Sequence, residues 1–167
     1  MSDLRIAGTV NDSIVDGEGI RFTIFTQGCP HHCEGCHNPQ THDFNGGTVV
    51  STDGLLEKIK ENPLLDGVTF SGGEPFCQAH ELAVLGGKIK SLGLNITTYT
   101  GYTFEELYKN RDKNHWGELL DVTDILIDGR FIPELKDWTI KFRGSSNQRY
   151  IDCQESLKES RAVETEP

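Results

Sequence analysis

Two hydrophobic periods alternate along the chain. Ile20-Arg21-Phe22-Thr23-Ile24-Phe25-Thr26 alternates with period two and is rich in β-branched and aromatic residues, which predicts a strand. Over residues 52–62, Leu55, Leu56 and Ile59 fall on one helical face, and Asn62-Pro63 stops the helix. Gly67-Val68-Thr69-Phe70 is a second short strand. Residues 78–92 then form a helix with a stripe of Leu82, Leu85, Ile89 and Leu92. Gly86 and Gly87 weaken that helix by about 1 kcal/mol each. Asn95-Ile96-Thr97-Thr98-Tyr99 is the third strand, and Thr103-Phe104-Glu105-Glu106 opens a helix with a capping box. Asp124-Ile125-Leu126-Ile127 is nearly pure apolar, as in a strand buried on both faces of a parallel sheet. Thr139-Ile140-Lys141-Phe142 is the fifth candidate.

Strands alternating with helices predict right-handed βαβ units and a mainly parallel sheet. A closed eight-fold barrel needs at least about 200 residues, and this chain has 167. The expected fold is therefore α/β, an open partial (β/α) barrel of about five to six mainly parallel strands. Residues 1–157 are expected to form one domain, and residues 158–167, mostly charged or small, a fraying C-terminal tail.

Composition narrows the function. Leu, Ile, Val and Phe make up about a quarter of the chain, enough for a packed core. Acidic residues outnumber basic ones 26 to 16, a net charge of −10 that repels phosphate backbones. Apolar runs are only a few residues long, too short for a membrane span or a signal-peptide core. Neither nucleic acid nor membrane is expected as a partner, and a cytoplasmic location is. The five cysteines are odd in number, and Cys29, Cys33 and Cys36 are bunched. That pattern predicts a metal site in a reducing compartment rather than a disulfide framework.

The unusual residues gather where each predicted strand ends: Gln27-Gly28-Cys29-Pro30, Ser71-Gly72-Gly73-Glu74-Pro75, Thr100-Gly101-Tyr102, Asp128-Gly129-Arg130 and Arg143-Gly144-Ser145-Ser146-Asn147. Parallel α/β folds bind ligands at the carboxyl ends of their strands, so five tips should converge on one mouth. The C-x3-C-x2-C spacing of Cys29, Cys33 and Cys36 suits three irons of a four-iron cluster, with the fourth iron open. Structural zinc with His31, His32 or His37 as fourth ligand is the alternative. Cys77 reads as a small buried hydrophobe or a fourth ligand, and Cys153 as structural. Gly72 and Gly73 let backbone approach a ligand closely, and Glu74 can accept from an ammonium group. A plain strand-to-helix turn has the same sequence.

Together these motifs resemble the radical S-adenosylmethionine enzymes. Asp16-Gly17-Glu18-Gly19-Ile20-Arg21-Phe22, Gln27-Gly28-Cys29 and Cys36-His37-Asn38 are similar to the glycyl-radical-enzyme activases among them. Asp128-Gly129-Arg130-Phe131 and Phe142-Arg143-Gly144-Ser145-Ser146-Asn147-Gln148-Arg149 resemble the branch whose protein substrate is an anaerobic ribonucleoside-triphosphate reductase. The resemblance covers roughly residues 4 to 152. It implies an oxidoreductase of the radical S-adenosylmethionine fold with a [4Fe–4S] cluster on Cys29, Cys33 and Cys36. It also implies bound S-adenosylmethionine, flavodoxin or a similar electron donor, and a glycyl radical formed on the reductase. Chemistry of this kind needs no side-chain acid or base.

Under this resemblance Gly35, Cys36, His37, Ser71, Gly72, Gly73 and Glu74 are candidate cofactor contacts. Thr98 and Thr100 are expected either to contact the methionine moiety or simply to satisfy the strand end, Asp128 to lie near the ribose hydroxyls or a cation, and Arg130 near the methionine carboxylate. A surface ion pair is the plain alternative for Asp128 and Arg130. Relatives place an aromatic residue just before the third cysteine; Gly35 stands there, leaving His37 as the expected adenine wall. Arg143, Asn147 and Arg149 are assigned to the protein partner, the plain alternative being that Arg143 and Arg149 offset neighbouring acids on a chain of net charge −10. Two other readings compete: a 7-carboxy-7-deazaguanine synthase-like radical enzyme, and a non-enzymatic iron–sulfur or zinc module.

Overall fold

The computed structural model describes residues 2–36 and 38–167, so His37 lies outside the described residues. Its strands are β1 (Asp3–Ser13), β2 (Arg21–Thr26), β3 (Thr48–Ser51), β4 (Gly67–Gly72), β5 (Asn95–Tyr99), β6 (Ile125–Asp128) and β7 (Arg149–Asp152). Its α-helices are α1 (Thr52–Lys60), α2 (Ala79–Ser91), α3 (Phe104–Lys109), α4 (Trp116–Val122) and α5 (Cys153–Glu159). The strands form one open sheet in the order β3-β1-β2-β4-β5-β6-β7. The four central strands β2, β4, β5 and β6 are parallel. Antiparallel neighbours flank them, β1 and β3 on one side and β7 on the other. The sheet thus has seven strands, more than the five or six expected, and the additions are all antiparallel.

Period-two alternation separates two chemistries. Phe22, Ile24, Val68, Phe70, Ile96 and Leu126 face the helices and pack with Leu55, Ile59, Leu82, Leu85, Ile89, Leu107, Leu119 and Leu120. Each such side chain contributes about 1.5–3 kcal/mol on burial. The opposite face presents Arg21, Thr23, Thr69, Ser71, Thr97 and Tyr99. Arg21 is buried there, its guanidinium donating to the Thr69 hydroxyl (2.7 Å) and to the Glu18 and Val68 carbonyls (2.9 Å each). It ties β2 to β4 at the amino ends of the parallel strands. Gly86 has a packing reason to sit inside α2: a Cβ there would lie 2.7 Å from Val122 of α4.

Three expectations change. Residues 139–142 form turns, not a strand, and Phe142 has a positive φ of 66°. β7 holds the edge of β6, from Ile125 opposite Asp152 to Asp128 opposite Arg149, so no edge was left for them. Thr98 shares the helix face with Ile96 and bonds the Thr123 hydroxyl at 2.9 Å, away from any ligand mouth. The terminal segment is tied back to β7 rather than free: Asp152 N–H donates to Val163 O and Thr165 N–H to Tyr150 O, both at 2.9 Å. Among the described residues no helix is long and apolar enough to cross a membrane.

Candidate functional site

The carboxyl ends of the parallel strands open into one cavity of about 460 Å³. Cys29, Cys33 and Cys36 line it from the loop after β2, Ser71, Gly72 and Gly73 from β4 and its turn, and Thr100 and Gly101 from the end of β5. Gly129, Arg130 and Phe131 enter after β6, and Phe142, Arg143 and Gly144 from the loop before β7. The five expected tips do converge, although the fifth is a loop between β6 and β7 rather than a parallel-strand end.

Backbone bonds fold the cysteine loop back on itself. Gly28 N–H donates to Thr41 O (2.7 Å), Cys29 N–H to His42 O (3.2 Å), and Gly28 O accepts from Glu74 N–H (2.8 Å). Gly28 has φ 108°, and a Cβ would meet the Phe44 ring at 2.6 Å, so only glycine fits. Burial pushes the Cys29 thiol up to about 11, opposed by a backbone N–H from His31. Burial raises Cys33 as well, opposed by the Phe131 backbone N–H and the Arg130 guanidinium. Cys36 Sγ accepts the Asn38 N–H at 3.4 Å. A backbone N–H on a cysteine sulfur is the kind of donor that supports a cluster thiolate.

Three thiolates on one loop at C-x3-C-x2-C spacing, all lining the cavity, are a donor set that suits three irons of a four-iron cluster with the fourth iron open. His31, a candidate zinc ligand, instead bonds Glu74 Oε1 through Nε2 (2.6 Å) and packs edge-on against Tyr102. Cys77 lies on a different cavity, with Phe44, His80 and Trp116. Cys153 is fully buried, its Sγ 3.5 Å from Leu120 O.

The turn after β4 is glycine-rich because of its own chain. A Cβ on Gly72 would lie 2.3 Å from Thr26 N, and one on Gly73 2.5 Å from Gly28 O. Backbone of β2 and the cysteine loop fills the space that a ligand was expected to demand. Glu74 is 1% exposed and does not line the cavity. Its Oε1 accepts from Gly101 N–H (2.8 Å) beside His31, and its Oε2 from Phe76 N–H (3.1 Å) and the Thr100 hydroxyl (2.9 Å). Expected to meet an ammonium group, Glu74 instead joins three loops. The carboxylate that does face the cavity is Asp16, held by the hydroxyls of Ser13 (2.6 Å) and Thr23 (3.2 Å).

The loops after β6 divide similarly. Asp128 is buried, accepts the first amide of α3 from Phe104 (2.7 Å), and pairs with Arg149 (2.6 Å), which also reaches Glu105 (2.6 Å). The two residues are paired with each other, the outcome expected of an ion pair. Asn147 bonds inward too, donating to Arg130 O (2.8 Å) and accepting from Ser145 (2.6 Å). Arg130 is exposed at the cavity, and Arg143 shares that lining, its guanidinium 5.8 Å over the Tyr150 ring. Gly35 has φ 71°, and its missing Cβ faces Phe131 Cε2 at 3.4 Å. Phe131 therefore brings to the cavity the aromatic ring that the cysteine motif lacks, a contribution visible only once β6 is placed beside β5.

Residues 15–151 match the family model described as a 4Fe-4S single cluster domain. The chain is 33% identical over 143 residues to the anaerobic ribonucleoside-triphosphate reductase-activating protein of Escherichia coli (strain K12), covering 81% of this chain and 90% of that one. To the protein of the same name from Haemophilus influenzae it is 34% identical over 145 residues, covering 81% and 89%. It is 37% identical over 134 residues to the pyruvate formate-lyase-activating enzyme of Clostridium pasteurianum, covering 75% of this chain and 55% of that one. Among solved structures, QueE from Escherichia coli superposes with a TM-score of 0.50 at 21% identity, over 60% of this chain and 54% of that one. That likeness is one of fold.

Proposed function

The chain belongs to the 4Fe-4S single cluster domain family and, within it, to the anaerobic ribonucleoside-triphosphate reductase-activating proteins, and on that footing we propose that it activates an anaerobic ribonucleoside-triphosphate reductase. The observation that carries the proposal is the meeting of Cys29, Cys33 and Cys36 on one strand-end cavity, beside the glycine turn after β4 and the loop after β6. Cys29, Cys33 and Cys36 would hold a [4Fe–4S] cluster, which would supply the one electron for reductive cleavage of bound S-adenosylmethionine, with release of methionine, and so the radical chemistry that leaves a glycyl radical on the reductase. Flavodoxin or a similar one-electron donor, in the cytoplasm, completes the proposal.

This chain's own residues orient the ligand and exclude water. Arg130 offers its guanidinium to the methionine carboxylate, and Asp16 its carboxylate to the ammonium group. Ser71, Gly72, Gly73, Thr100 and Gly101 form the floor, and Phe131 the wall for the adenine. Arg143 and the exposed Trp138 stand on the same cavity where a glycine-bearing loop must enter. Asn147 and Arg149 act by holding that loop's shape.

The reading is tested by anaerobic reconstitution with the reductase, a one-electron donor and S-adenosylmethionine. Electron paramagnetic resonance should show a glycyl radical on the reductase. A cluster-loaded protein that cleaves S-adenosylmethionine but leaves the reductase radical-free would refute the assignment of partner. Phe131→Ala should weaken S-adenosylmethionine binding roughly tenfold, since base–aromatic stacking contributes about 1–3 kcal/mol. Cluster content should stay at the wild-type level. Unchanged affinity in calorimetry would take the adenine away from Phe131.

A further inference from the structure

We propose that His80, His115 and Glu118 form a second metal site, for one divalent ion of the zinc class, at the junction of α2 and α4 and outside the strand-end cavity. They come from two helix starts: His80 from the first turn of α2, and His115 and Glu118, three residues apart, from the N-cap and first turn of α4. Their ligand atoms all lie within 4.8 Å of one another. His80 Nδ1 is 3.0 Å from Glu118 Oε1, and His115 Nδ1 contacts Oε2, so each carboxylate oxygen faces one imidazole nitrogen. The two rings are 4.6 Å apart and tilted by 48°.

Two imidazoles and one carboxylate are the ligand set that leaves an open position on zinc. Ligand bonds of about 2.0–2.2 Å put such atoms a little over 3 Å apart, so small side-chain rotations suffice to seat an ion here. Asn114 and His115 both adopt positive φ, 54° and 61°. Two consecutive non-glycine residues in that region are uncommon, and here they aim the His115 ring at Glu118. The alternative is a pair of exposed imidazole–carboxylate contacts with no ion, which the net charge of −10 would also favour.

The site sits at the end of a chain of contacts. Trp116, next to His115, donates its indole N–H to Phe76 O (3.0 Å) and packs on Tyr102 at 4.8 Å. Tyr102 packs in turn on His31 of the cysteine loop. An ion held by His80, His115 and Glu118 clips α2 to α4 behind that support.

The test is calorimetric titration of Zn²⁺ into the cluster-loaded protein under anaerobic conditions, so that Cys29, Cys33 and Cys36 are already occupied. One saturable site per chain is expected, lost in His80→Ala and in Glu118→Gln, with cluster absorbance unchanged throughout. Cys77→Ser should keep the site, because Cys77 shares the neighbouring cavity but not the ligand group. Zn²⁺ should also raise the thermal unfolding midpoint of wild type and not of His80→Ala. All three residues are exposed, so the variants should fold. No saturable binding in wild type, undiminished binding in His80→Ala, or loss in Cys77→Ser alone would each overturn the proposal.

Discussion

Replacing Cys29, Cys33 or Cys36 by Ala should remove the visible absorbance of the reconstituted cluster and the cleavage of S-adenosylmethionine together, to background. The three sulfurs stand on one loop and line one cavity. Removing one leaves an iron without its protein ligand. Neither neighbour can substitute. His31 is held on Glu74, and Cys77 opens on the other side of the turn. Cys77→Ala and Cys153→Ala are the controls: Cys153 is enclosed beside Leu120, far from the strand ends, and its loss should lower stability without touching cluster content. Cluster loss in Cys77→Ala, or cluster retention in Cys33→Ala, would contradict the three-ligand set.

Much of this architecture is legible in local pattern. The β-branched runs that become β2, β4, β5 and β6 are central strands, whose burial forces a strong apolar signal on the helix face. The flanking strands are less visible for a physical reason. β1 alternates only through Leu4 and Ile6 before register shifts at Gly8 and beyond Val10, and its outer half is exposed. β3 and β7 are four residues each and run straight into helices capped by Ser51 and Asp152, so no turn residues announce them. Residues 139–142 alternate well enough to read as a strand, but a strand also needs a vacant edge. Which of two short segments takes the edge of β6 is a tertiary matter.

The site was legible in its cysteines and in the convergence of tips, and less so in individual polar residues. Thr98 could have been assigned from sequence alone, since period two puts it with Ile96 and not with Tyr99. Asp128 and Arg149 could not, because their pairing depends on β7 lying antiparallel so that the two residues are direct cross-strand neighbours. Phe131 is likewise invisible in the cysteine motif. The gap left by Gly35 is local, but the ring that meets it comes from the loop after β6, three places along the sheet from β2.

Glu74→Ala should destabilise the cluster-free protein on the order of 3–5 kcal/mol, a large share of a total near 5–15 kcal/mol. One buried carboxylate takes backbone N–H groups from Phe76 and Gly101, the Thr100 hydroxyl and the His31 ring. Alanine leaves these groups without an acceptor, and leaving even one buried donor unmade costs about 1–3 kcal/mol. Glu74→Gln should fall between. Its amide NH₂ must face either Phe76 N–H or Gly101 N–H, so one backbone donor meets another whichever way the amide turns. Because His31 belongs to the cysteine loop, cluster content should fall in both variants, more in Ala. The measurement is urea unfolding without S-adenosylmethionine, followed by iron content after reconstitution. If Glu74 serves only as the acceptor for the ligand's ammonium group, the urea midpoint will not move and only ligand affinity will drop. A shift in midpoint that precedes any ligand makes it a positioning residue, acting on the site through the loops it joins.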